Sequence, residues 1–206
     1  LARIYQRGFC VDLQELDAVR EQFEKERDDL QKDLQQHVHK LMGDTPINLN
    51  SPEQLSWVVY SRRVTDKQFW ANAIDPYMND VDFRSLIAGG TKRVYKTKAM
   101  QCTVCNGTGY VRKTKKDGSP YTNPTRCKTC DAKGYTLDNL ANRAGLCFKP
   151  PSPKWGSANG FSTSKQNLLT LEAAARAKNM TDAVDFLSKV RRLSAVETYL
   201  SSFVDG

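Results

Sequence analysis

Apolar residues fall on a helical period across residues 12–41. Leu13, Leu16, Val19, Phe23, Leu30, Leu34, Val38 and Leu41 recur at steps of three, four or seven, with charged residues between them. That spacing lays one apolar stripe along a long, otherwise charged helix. Asp12 and Glu15 stand at capping-box spacing, and Gly43 supplies the stop. The stripe is equally that of a coiled-coil hairpin and does not choose between the two. After the polar turn DTPINLN, Ser51 reads as an N-cap, Pro52 as the first helical residue and Gln54 as the completing member of a box, starting a second helix to about Arg62. Residues 64–90 (Trp70, Ile74, Tyr77, Phe83, Leu86, Ile87) suggest short helical or irregular packing, broken at Gly89-Gly90. KRVYKTKAM partly alternates and predicts a strand. A short helical stretch is expected after residue 136, then the loop KPPSPKWGSANG. Two more helices are predicted, over about Ser164–Lys178 and Thr181–Val204. Thr163 and Gln166 are the cap pair of the first, and Val184, Leu187, Val190, Leu193, Val196, Leu200 and Phe203 form the stripe of the second.

Charge changes this picture, because it is concentrated. The 206 residues carry a net charge of +8. Residues 91–135 hold eleven Lys/Arg against only Asp117 and Asp131, so the basic character belongs to that segment. A cationic segment favours a polyanion, usually nucleic acid, over the plain alternative of a solubilising loop. Mean hydropathy is −0.59, no apolar run approaches a membrane span, and the N-terminal residues do not read as a signal peptide. The chain starts and ends in mid-pattern, as an excised fragment would. A monomer in the cytoplasm, or the host cytoplasm for a viral parent, is expected.

Four of the six cysteines lie inside the basic segment as C-x2-C-x21-C-x2-C: Cys102, Cys105, Cys127 and Cys130. Each C-x-x-C sets two thiolates on one tight turn, and two turns complete a tetrahedron around Zn²⁺. The halves repeat at a period of 25, since Cys102-Cys105-Gly109-Tyr110 matches Cys127-Cys130-Gly134-Tyr135. The glycines let amide N–H groups turn toward sulfur, and the tyrosines are placed to cover the site. DGSP at 117–120 predicts the turn of a hairpin between the halves. Four thiolates fill every position of a tetrahedral ion, so the expected zinc is structural rather than catalytic. A redox pair is the rival, and it needs a thiol at a helix N-terminus. His37 and His39 read as surface residues rather than ligands, and Cys10 and Cys147 as buried, apolar-like cysteines. CTVCNGTGY also resembles the C-x-x-C-x-G-x-G repeats of the DnaJ-type chaperone zinc domain. That family has four repeats where this chain has two, and the likeness supports zinc rather than chaperoning.

Four flanking segments resemble family A DNA polymerases, in the family's order. LARIYQRGFCVDLQELDAV resembles the approach to the long thumb helix. INLNSPEQL at 47–55 resembles the thumb motif F-N-L-N-S-x-x-Q-L. GFSTSKQNLLTL at 160–171 resembles G-x-x-S-T-x-x-x-L. KVRRLSAVETYLSSFVDG resembles the helix leading to the palm. The resemblance covers about 1–63 and 160–206, and leaves 64–159 as an insertion with a zinc module at about 91–136. It implies a mainly α fold: long antiparallel thumb helices with an inserted small zinc-ribbon-like β module.

The resemblance further implies a thumb that grips double-stranded primer–template DNA by its backbone without reading sequence. The template single strand or a replication protein are further candidate partners. Carried over by motif position, Asn48, Asn50, Ser51, Ser162, Thr163 and Lys165 would meet phosphates, as capped helix starts can, and Arg191 matches a basic position of the family. Ala195 and Glu197 stand where the family is usually basic, so Arg112, Lys113, Lys115 and Lys116 of the insertion are expected to add the missing grip. The fragment by itself carries no catalytic residue. A parent chain would be a DNA-directed nucleotidyltransferase using Mg²⁺. From different classes, the alternatives are a stand-alone zinc-finger nucleic-acid-binding module and a chaperone-like or coiled-coil protein-interaction module.

Overall fold

The computed structural model describes residues 13–73 and 89–204. Cys10, the Asp12 cap, Asp205, and Ile74, Tyr77, Phe83, Leu86 and Ile87 lie outside the described residues. Among the described residues 48% are helical and 19% lie in strands, which makes the fold mixed α/β rather than mainly α. The strands form small two-stranded antiparallel sheets. The chain divides into two compact units, residues 1–37 with 164–206 and residues 38–163. Residues 38–63, which the resemblance groups with 160–206, cluster with the segment that follows them.

The first unit is helical. α1 (Leu13–Met42) contributes its N-terminal part, followed by α4 (Lys165–Ala177) and α5 (Thr181–Tyr199), which continues as a π-turn over Leu200–Val204. α1 and α5 run antiparallel. Phe23 stacks on Tyr199 with ring centroids 5.7 Å apart, Glu26 takes a bidentate contact from Arg192 at 2.6 and 2.8 Å, Asp33 meets Lys189 at 3.2 Å, and His37 meets Asp185 at 3.0 Å. Between them lie Leu34, Leu168, Leu171, Ala183, Phe186, Leu187, Val190, Leu193 and Val196, all buried. At about 2 kcal/mol for each large apolar side chain, this burial is the main stabilising term. One carboxylate enters the core. Glu172 is buried and bridges Arg176, at 2.7 Å, and Arg191. The N-cap of α4 is Ser164, whose Oγ accepts the Asn167 N–H at 3.4 Å. The cap is thus one residue beyond the Thr163 that the sequence suggested.

The second unit is built on the end of α1 and on α2 (Pro52–Tyr60). Ser51 caps α2 by accepting the Gln54 N–H at 3.4 Å, but Gln54 Oε1 reaches past the cap to the Asn48 N–H at 2.7 Å. Left-handed Ser61, with φ 57°, ends the helix one residue before the expected Arg62. β1 (Arg62–Val64) pairs with β2 (Thr91–Arg93), with α3 (Lys67–Ala73) lying between them in the chain. β3 (Tyr95–Gln101) pairs with β6 (Tyr135–Arg143) as a long ribbon. This replaces the helical stretch expected after residue 136. Partnering with β3 overrides the weak helical preference of TLDNLANR. β7 (Gly156–Ser157) and β8 (Gly160–Phe161) close the unit.

The core of the second unit gathers Val38, Met42, Leu55, Val58, Val59, Tyr60, Val64, Trp70 and Phe161. Phe161 packs edge-on to Trp70 at 5.3 Å and against Tyr60 at 5.2 Å. The ribbon is tied to the C-terminus of α1 by close contacts. The Asp44 N–H donates to Thr97 O at 3.0 Å, the Asp44 carboxylate accepts the Ala99 N–H at 2.7 Å, and Lys96 Nζ donates to Lys40 O at 2.6 Å. Gly43 has φ +72°, and a Cβ there would stand 2.1 Å from Thr97 O. It therefore serves two purposes, ending the helix and letting the ribbon approach.

Candidate metal centre

The ribbon leads into a module whose interior is four cysteines. Cys102, Cys105, Cys127 and Cys130 are each buried, and among the described residues only Val111 packs on them as a neighbouring apolar side chain. Their Sγ atoms lie within 4.8 Å of one another, with Cys102–Cys127 at 3.9 Å and Cys105–Cys130 at 3.6 Å. A tetrahedral ion with Zn–S of about 2.3 Å requires S–S edges of about 3.8 Å. The four thiols are therefore grouped closely enough to hold a metal ion such as zinc.

The repeat seen in the sequence is a two-fold repeat in space. The Cys102 N–H donates to Gly134 O, and the Cys127 N–H to Gly109 O, both at 2.9 Å. The Gly109 N–H donates to Cys105 Sγ at 3.3 Å and the Gly134 N–H to Cys130 Sγ at 3.4 Å. Each glycine is left-handed, and a Cβ at either would stand 2.3–2.4 Å from a carbonyl oxygen of the other half. The backbone keeps the symmetry where the residue type does not: Gly107 (φ 83°) corresponds to Ala132 (φ 64°), a non-glycine residue in left-handed geometry. Amide N–H groups of Cys130 and Thr129 hold the Cys127 thiol down to about 7, against the effect of burial. Burial pushes Cys130 up to about 11. Thiolates stabilised by N–H donors are ready metal ligands.

Tyr110 and Tyr135 do not cover the site. They are 52% and 37% exposed, and the residue after the first tyrosine, Val111, turns inward instead, as strand alternation requires. The spacer folds as the expected hairpin: β4 (Tyr110–Val111) pairs with β5 (Thr125–Arg126), and Thr114 bridges to Pro120. The turn is closed by Asp117, which accepts from the Ser119 N–H at 2.9 Å and its hydroxyl at 2.7 Å. These two bonds hold the Asp117 carboxyl below its ordinary value. Arg112, Lys113, Lys115 and Lys116 are exposed along this hairpin, with Lys115 Nζ 5.9 Å from the Tyr121 ring centre.

A scan against protein-family models, a search of curated proteins and a search of solved structures give no match to this chain.

The remaining site candidates divide. Asn48 and Asn50 are exposed beside Ser51, but Asn48 Oδ1 accepts the Asn50 N–H at 3.0 Å and Ser51 is engaged as a cap. Ser162 is tied by its backbone to Trp155 O and the Tyr60 hydroxyl, Thr163 is half-buried, and Lys165 is exposed at the start of α4. Arg191 directs its guanidinium at Glu172 inside the helical unit. Burial raises the Glu172 carboxyl, but hydrogen bonds from Arg176 and Arg191 outweigh it and hold it below its ordinary value. His39 meets Asp44 at 3.0 Å on the surface, while His37 is half-buried against Asp185. Cys147 is exposed rather than buried, left-handed at φ 58°, with its N–H donated to Ser61 Oγ at 2.9 Å.

Sequence reasoning missed one group altogether. Arg62, Arg63, Lys92, Arg93 and Arg143 are brought together where β1, β2 and the ends of the ribbon meet. No local pattern marks them, because the pairing joins segments about thirty and eighty residues apart. No helix among the described residues is long and apolar enough to cross a membrane.

Proposed function

We propose that the chain is the thumb of a DNA-directed DNA polymerase of family A, gripping primer–template duplex by its backbone, with the cysteine module as a basic extension stabilised by structural Zn²⁺. The observation that carries this reading is the joining of two resemblance motifs separated by 105 positions. The Phe161 N–H donates to Ser56 Oγ at 2.9 Å, and the Tyr60 hydroxyl donates to Ser162 O at 2.8 Å. INLNSPEQL and GFSTSKQNL are thus neighbours through the element that follows the first and the strand that opens the second. The basic ribbon and module leave and re-enter the fold between them, as an insertion into a pre-existing pair of motifs would. The antiparallel packing of α1 on α5 agrees with the long-helix architecture implied by the same resemblance.

Each grip residue has a physical role. Ser51 and Ser164 cap α2 and α4, leaving amide N–H groups of the first turns for phosphate oxygens. Asn48, Asn50, Ser162, Thr163 and Lys165 flank those starts. Arg112, Lys113, Lys115 and Lys116 extend the cationic surface along the hairpin. Arg191 acts within the fold, through Glu172. Zn²⁺ would be held by Cys102, Cys105, Cys127 and Cys130 and would supply the stability that the module's small interior lacks. Nucleotidyl transfer, with Mg²⁺, belongs to the parent chain.

The test is equilibrium binding of the chain to a labelled primer–template duplex over a salt series. Log affinity should fall linearly with log salt, at about −0.9 per phosphate contact, with little dependence on sequence. The variant K113Q/K115Q/K116Q should flatten the slope. Absence of duplex binding at low salt would overturn the reading.

A further inference from the structure

The strongest charged feature outside the cysteine module lies where three chain segments run side by side. β1 and β2 are in a register that sets Arg62 opposite Arg93 and Arg63 opposite Lys92. The next segment extends the ladder: Arg143 stands opposite Tyr95, and the Ala144 N–H donates to Val94 O at 3.1 Å. Arg93 ends β2 and Tyr95 opens β3, with only Val94 between them, so their partners Arg62 and Arg143 are brought to the same junction of the two ribbons. At ordinary strand spacing the three arginines span about 10 Å.

Like charges set directly opposite one another work against the sheet that carries them. Among the described residues, no carboxylate lies within ion-pair distance of Arg62, Arg63, Lys92, Arg93 or Arg143. Neutral groups hold two of them in place instead. Arg62 donates to Thr91 Oγ1 at 2.9 Å, and the Arg63 guanidinium lies over the Trp57 ring at 5.1 Å. Partial burial lowers the pKa of Arg62, and the charges of Arg93 and Arg143 lower it further, in keeping with their convergence at this junction. Several other arginines among the described residues are paired: Arg192 with Glu26, Arg176 and Arg191 with Glu172. The contrast isolates this ladder as a surface with charge to spare.

We propose that Arg62, Arg93 and Arg143, flanked by Arg63 and Lys92, form a binding site for consecutive phosphates of a nucleic-acid backbone, separate from the Lys113–Lys116 hairpin. The planar fork of arginine suits phosphate oxygens, and a row of arginines on adjacent strands suits a polymer of spaced anions better than a single one. The inference rests on the DNA-gripping reading for the identity of the polymer, but the phosphate chemistry of the ladder stands by itself.

The experiment uses the full, metal-loaded chain and its R93Q/R143Q variant, both substitutions being at exposed positions. Two probes are titrated: a 20-base-pair duplex and inorganic tripolyphosphate. The expected result is that the variant loses tripolyphosphate binding by tenfold or more, and that its log–log salt slope on duplex falls by about 2. K113Q/K115Q/K116Q should reduce tripolyphosphate affinity by clearly less than R93Q/R143Q does. Thermal midpoint serves as a second readout. Relief of repulsion should leave it unchanged or raise it, and a lower midpoint in R93Q/R143Q would show a packing role and overturn the site. Variant and wild type binding both probes alike would overturn the ladder while leaving the thumb reading intact. Arginine-dependent tripolyphosphate binding with no duplex binding would keep the ladder and reject the thumb. Binding of neither probe by the wild type would reject both.

Discussion

The helical unit and the cysteine module solve the same problem with opposite means. The helices bury Leu34, Phe186, Leu187, Leu193 and Val196 along a continuous apolar seam and admit one paired carboxylate, Glu172. The module buries four cysteines and leaves Met100, Val104, Tyr110, Tyr121 and Leu140 exposed around them. A seam of large side chains is stable by area, and its contributions are spread over many positions. A two-stranded ribbon with such an interior is marginal at best in water, so its stability is concentrated in whatever joins the four sulfurs. A metal ion held by the four cysteines would supply the stability that a hydrophobic core supplies to the helices.

Metal removal should separate the two regions most sharply. Structural zinc sites carry on the order of 10 kcal/mol. Chelation, or Cys105→Ser, should therefore unfold the hairpin and ribbon tip while helical circular dichroism from α1, α4 and α5 persists. Joint loss of both signals would show one cooperative unit and break the comparison. The reciprocal change is Phe186→Ala, a fully buried ring, which should cost about 4 kcal/mol, seen as a lower denaturation midpoint with metal content unchanged.

Gly109→Ala comes next. Its Cβ would stand 2.4 Å from Ala132 O at φ +77°, and the combined strain of about 3 kcal/mol should show as weakened metal retention in a competition assay with a chromogenic chelator. Within the helices, Glu172→Gln should cost about 2 kcal/mol near neutral pH by leaving Arg191 without its charged partner. Because the Glu172 carboxyl is held below its ordinary value, its contribution is fully present above the ordinary carboxylate range and is lost as pH falls through the lowered value. Denaturation midpoints of wild type and E172Q should therefore converge in acid. The smallest effect is a gain. Ala132→Gly restores the glycine found at the symmetry-related Gly107 and should add about 1 kcal/mol to the module, read as a higher unfolding temperature of the metal-loaded form.

The two regions also differed in how plainly the sequence announced them. The α1 stripe and Gly43 mark the helix end to within a residue, because side-chain period is local information. The cysteine spacing and its 25-residue repeat mark the four cysteines that come together and the Gly109 and Gly134 N–H groups that turn toward sulfur, since metal geometry constrains spacing directly. What was illegible is non-local. Strand β6 carries a helix-like composition and is a strand only because β3 lies beside it. The tyrosine after each knuckle looked like a lid, yet the pleat turned Val111 inward instead. Ser164 replaced Thr163 as a cap by a shift of one residue, which composition alone does not resolve, as both hydroxyls cap equally well. Arg62, Arg93 and Arg143 form a ladder only after three distant segments pair, so no window of sequence contains it.

The measurement that bears most directly on the account is duplex binding by metal-loaded and metal-stripped protein across one salt series. The account predicts salt-steep binding in the loaded form, and a weaker affinity with a shallower slope after stripping, because the hairpin lysines lose their fixed positions while the helix starts and the arginine ladder remain. Equal affinity and slope in the two forms would contradict the claim that the module adds grip on DNA.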